Sequence, residues 1–118
     1  MQSHLRPARA RRAALFALLL AAGATALAAS SGETAFLADN HAAMMKMMKA
    51  MQVKPSGDVD ADFVAMMVPH HQGAVDMARS ELRYGRNAQL RHIAQDIITA
   101  QQQQIPAMQE ALAQKAPR

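Results

Sequence analysis

The chain has 118 residues, with 13 Lys and Arg against 9 Asp and Glu, a formal charge of +4, and no cysteine. The excess is local: Arg6, Arg9, Arg11 and Arg12 fall in the first 29 residues, which hold no acid, so 13 − 4 leaves 9 basic against 9 acidic side chains afterwards. A remainder near neutrality offers no basic patch for nucleic acid or acidic lipid. Without cysteine it also has neither disulfide support nor a thiolate ligand for a metal.

The opening residues read as a signal peptide. After the arginines comes an apolar run from Ala13 to Ala22, built on Leu15, Phe16, Leu18, Leu19 and Leu20, and then the small-x-small pattern Ala26-Leu27-Ala28. The run is short for a membrane span of roughly 20 residues. Residues 1–29 are therefore expected to be cleaved, leaving a periplasmic or secreted protein with no membrane attachment. About 90 residues remain, enough for one domain with a modest core. Within it, a Met-rich N-terminal helix and linker (30–57) joins a helical hairpin (58–118).

Three helices are predicted, giving an all-α fold: a small antiparallel helical bundle. The first runs from about Thr34 to Gln52 and stops at Val53-Lys54-Pro55-Ser56-Gly57. The second starts after Asp58 or Asp60, either of which can cap it, and runs to about Tyr84, with Gly85 as the stop. Asn87 can cap the third, which continues to about Lys115. Pro69 and Pro106 lie inside helices, where each removes an N–H and predicts a kink or a break.

Helical spacing gathers the methionines into stripes. In the second helix Phe63, Met66, Met67, His70, Ala74, Met77 and Ala78 share one face, with His71 at its edge. Met66 and His70 are four apart, as are Met67 and His71, so each pair can meet side by side. In the first helix Leu37, His41, Met44, Met48 and Met51 share a face, flanked by Met45 and Met47. In the third, Leu90, Ile93, Ala94, Ile97, Gln101, Ile105, Met108 and Leu112 do so, with His92 on the opposite side. These faces are expected to meet in one interior carrying thioethers and imidazoles. A Met stripe is more often core filler than a metal site, but an adjacent His pair bracketed by Met needs polar partners when buried. Thioether with neutral imidazole suits Cu(I) and Ag(I); hard ions want carboxylates and zinc seldom accepts a thioether. A di-iron bundle would need Glu-x-x-His pairs, and Glu33, Glu81 and Glu110 lack them. The candidate metal ligands are Met66, Met67, His70, His71 and Met77, with His41, Met44 and Met48 as a further set.

The run Asp62-Phe63, then Met66-Met67-Val68-Pro69-His70-His71-Gln72-Gly73-Ala74-Val75-Asp76-Met77-Ala78, resembles the signature of the domain of unknown function 305 family, with its CopM-like periplasmic copper-binding proteins. The similarity extends through Ala94, Ile97-Ile98, Gln101, Ile105, Met108 and Leu112. The resemblance implies a ferritin-like helical bundle that binds Cu(I) or Ag(I) outside the cytoplasm and protects against copper. It implies ligand roles for Met66, Met67, His70, His71, Met77 and Met108. The chain departs from the family pattern at Gln104, where an acid is usual, at Ala111, where an aromatic is usual, and at Pro106.

The expectation is thus a non-enzymatic, exported Cu(I)- or Ag(I)-binding protein for copper sequestration, transfer or resistance. A homodimer or a copper-handling protein is the partner to look for. Binding should weaken below about pH 6, since only the neutral ring ligates. The rival reading is a Met-rich structural or interaction module without a metal.

Overall fold

A computed structural model of the chain describes residues 31–114; the expected signal peptide, residues 1–29, lies outside them. Three helices, and no strand, occur among the described residues: α1 (31–50), α2 (Val59–Tyr84) and α3 (Ala88–Ala113). No helix among them is long and apolar enough to cross a membrane.

The helix boundaries follow from local chemistry. Gly57, with φ at 87°, takes the left-handed turn before α2, a conformation that costs a residue with a Cβ. Asp58 then caps α2, its carboxylate accepting from the N–H groups of Asp60 at 3.0 Å and Ala61 at 3.4 Å. Asp60 is inside the first turn, where its charge suits the positive helix end. Gly85 ends α2 with its N–H on the Glu81 carbonyl at 2.7 Å. Its backbone is extended rather than left-handed. Glycine is needed there because a Cβ would lie 2.6 Å from the Glu81 carbonyl oxygen. Asn87 caps α3 by accepting from the N–H of Leu90 at 3.0 Å. Neither proline breaks its helix: α2 runs through Pro69 and α3 through Pro106.

α2 and α3 form an antiparallel hairpin around a thin core of Val75, Ala78, Ala94 and Ile98, with Leu82 packed against it. α1 lies on the other flank of α2. Asn40 donates to the Ser80 hydroxyl at 3.0 Å, Lys46 pairs with Asp76 at 3.7 Å, and Arg83 pairs with Asp39. The Arg83 guanidinium is held further towards its charged form by the Tyr84 side chain first and by Asp39 next. Where α1 and α2 approach, the side chains are small. Ala43, Gly73 and Ser80 are buried, and a Cβ on Gly73 would stand 2.6 Å from Met47 Sδ.

Two expectations about faces are corrected here. α1 meets α2 through Asn40, Ala43 and Met47, one position round from the expected stripe, so Leu37, His41, Met44 and Met48 are exposed. On α2 the core residues are His71, Val75 and Ala78, while Phe63, Met66 and His70 are exposed. The reason is backbone approach: two helices come together where small residues allow it, whereas hydrophobic spacing marks the longest apolar side chains. The third stripe fares better, with Ala94 buried and Gln101, Ile105, Met108 and Leu112 half-buried, although Leu90, Ile93 and Ile97 stay open.

Candidate metal centre

The stripe expected to seal the interior is instead the floor of an open groove. Ala74 and Met77 of α2 form its base, Phe36 and Asn40 of α1 one wall, and Ile93 and Ile97 of α3 the other, enclosing about 410 Å³. His70 and Met66 continue that line of α2 one and two turns towards its N-terminus. A second cavity, of about 300 Å³, opens at the far end of the hairpin between Phe63, Val64, Met108 and Leu112.

The two adjacent histidines have different surroundings. His71 is buried and sits between helices, its Nδ1 on the Met67 carbonyl at 2.8 Å and its Nε2 2.7 Å from Gln104 Oε1. A carbonyl can only accept, so Nδ1 carries a proton, and in a neutral ring the lone pair belongs to Nε2. A neutral ring fits with the Gln104 amide turned so that its NH₂ donates to that lone pair. Either way both nitrogens are engaged, and ligation through Nε2 requires Gln104 to move aside. His70 points to solvent, its ring 5.9 Å from that of His71 in an edge contact, and no hydrogen bond among the described residues engages its nitrogens.

The remaining candidates are dispersed. Met67 and Met77 are half-buried, the latter in the groove; Met108 is half-buried in the far cavity. His41, Met44 and Met48 are exposed on α1. His92 is exposed and 3.7 Å from Asp96, on the side of α3 away from the hairpin. Met47, expected only to flank its stripe, is half-buried against Gly73, which the mid-helix glycine could have signalled. Gln104, seen in the sequence only as a departure, is the residue that holds His71.

No three His, Asp or Glu side chains converge among the described residues, so a hard-ligand site is absent there. Met66 and His70 place one thioether and one imidazole on a single exposed line of α2, a donor pair of the kind that soft metal ions accept.

The fold is an all-α helical bundle with Met and His side chains displayed along one open side of α2. The chain matches the family model described as Domain of unknown function (DUF305) over residues 9–112, and it belongs to that family. The match is wider than the Asp62 to Leu112 stretch that carries the sequence signature. No curated protein matches the chain.

Proposed function

We propose that the protein is an exported, non-enzymatic binder of Cu(I), with Ag(I) accepted by the same donors. It acts as a sink or carrier outside the cytoplasm, the role that the resemblance to CopM-like proteins implies. The supporting observation is His70, an exposed imidazole with no hydrogen-bond partner among the described residues, four positions from the exposed thioether of Met66. A metal reaching this pair pays no cost of dismantling the core. Met67 and Met77 lie on the same helix within a turn or two, and can swing their flexible thioethers towards it. Copper is the cargo here, and the neutral rings and sulfurs are its donors.

The test is a competition titration against a Cu(I) chelator, comparing wild type with His70→Ala/His71→Ala. The double variant should bind at least about tenfold more weakly, a change of roughly 1.4 kcal/mol. Equal affinity would remove the site from this pair of histidines. The export part of the reading predicts that protein recovered after expression of the full sequence lacks residues 1–29. Intact mass checks it, and a mass that includes the leader would refute it.

The openness of the groove favours a second reading, a Met-rich interaction module. Under that reading copper would shift neither the melting temperature nor the retention volume.

A further inference from the structure

We infer that the open apolar face between α1 and α3 is the contact surface for a second copy of this chain. This does not rest on the copper reading. Three observations carry it: the face itself, the thinness of the core, and the position of the charges.

The face is large and apolar. Leu90, Ile93 and Ile97 of α3, which line the groove over Met77, and Leu37, Met44 and Met48 of α1, about a quarter-turn round that helix from the Phe36 and Asn40 wall, are between 37% and 58% exposed. With Phe63 and Met66 of α2, which are similarly exposed, this is roughly 700 Å² of apolar surface on one chain, beyond the largest patch of an ordinary monomer. Two copies would bury about 1,400 Å², within the ~1,200–2,000 Å² of a specific interface.

The buried apolar residues among those described are only Ala43, Val75, Ala78, Ala94 and Ile98, three of them alanines. A chain of this size without disulfides gains stability by association when its own core is so small. The charges stand elsewhere. Lys46, Asp76, Arg79, Asp39 and Arg83 pair with one another on the other side of the α1–α2 seam. The groove offers Glu81 as its one charged lining residue, so it shows no charge pattern for a distinct acidic or basic partner. A neutral apolar face is matched by its own twin. A two-fold arrangement places the α3 ridge of one copy, Ile93 and Ile97, in the groove of the other.

The absence of cysteine makes the test direct. Ile97→Cys and, as control, Gln103→Cys on the exposed side of α3 are introduced into the full chain and oxidised with diamide. Light scattering follows the unmodified protein across micromolar concentrations. The expected result is a two-chain mass that falls on dilution, with a covalent dimer for Ile97→Cys and little for Gln103→Cys. Ile93→Glu/Ile97→Glu, with helicity checked by circular dichroism, should then give a one-chain mass. If the acidic variant does not fold, the cysteine pair still decides. A one-chain mass at every concentration with equal cross-linking of the two cysteines overturns the inference. So does a monomer that binds phosphatidylcholine vesicles through the same residues, which would make lipid the occupant.

Discussion

Gly73→Leu is expected to lower stability by about 3 kcal/mol, the upper end of the ~1–3 kcal/mol for side chains forced into a filled contact. Gly73 is buried where α1 crosses α2, and even a single Cβ there would come within 2.6 Å of Met47 Sδ and 3.0 Å of Met47 Cβ. The sulfur can turn away, but the Cβ moves only with the backbone of α1. A larger side chain would therefore lift α1 and stretch the Asn40–Ser80 hydrogen bond and the Lys46–Asp76 pair with it. Gly73→Ala is a finer probe. Alanine gains about 1 kcal/mol of helix propensity over glycine, and overpacking costs about 1–3 kcal/mol, so a small net loss is expected. In Gly73→Ala/Met47→Ala the contacts with Sδ and Cγ are gone, only the 3.0 Å approach to the residue-47 Cβ is left, and the propensity gain remains. Chemical denaturation of the four members of that cycle should show a favourable coupling of about 1 kcal/mol. Additive effects would mean that Met47 and Gly73 are not in contact.

That seam also shows what could be read in the sequence. The punctuation was legible because it depends on neighbours: Asp58, Asn87 and Gly85 stop or start helices through groups at most four residues away. The helices themselves, their order and the apolar stripe on α2 followed from spacing. Which side of each helix would be buried did not follow, because Met44 and Met48 look more core-like than Ala43 by hydrophobicity alone. Ala43 is buried since the distance between α1 and α2 is set by Gly73 and Ser80, which lie on another helix. Of the α2 stripe, Ala78 lies in the core and Met67, Ala74 and Met77 are half-buried, whereas Phe63, Met66 and His70 face solvent. For the candidate site, the motif singled out two histidines, but nothing local distinguishes them. Their difference comes from Gln104, 33 residues beyond His71, at a position noticed only as a departure from the family pattern.

That difference yields the sharpest expectation about copper. His70→Ala should leave stability within about 0.5 kcal/mol of wild type, as surface substitutions do, while weakening Cu(I) binding by at least about tenfold. His71→Ala should do more damage to the fold, costing about 2–3 kcal/mol. It vacates a buried position between α2 and α3 and removes the hydrogen bond to Gln104. Met66→Leu keeps volume and removes only the sulfur, so a loss of affinity at unchanged melting temperature would assign that thioether to the metal. Gln104→Ala then separates the two possible roles of His71. If His71 takes copper through Nε2, releasing that lone pair raises affinity; if His71 only joins α2 to α3, stability falls and affinity stays put. Chelator competition and thermal melts on these four variants read the two quantities independently. The assignment of His70 as the metal-facing ring fails if its removal costs stability and spares binding, because an exposed imidazole with no described hydrogen-bond partner has little structural work to lose.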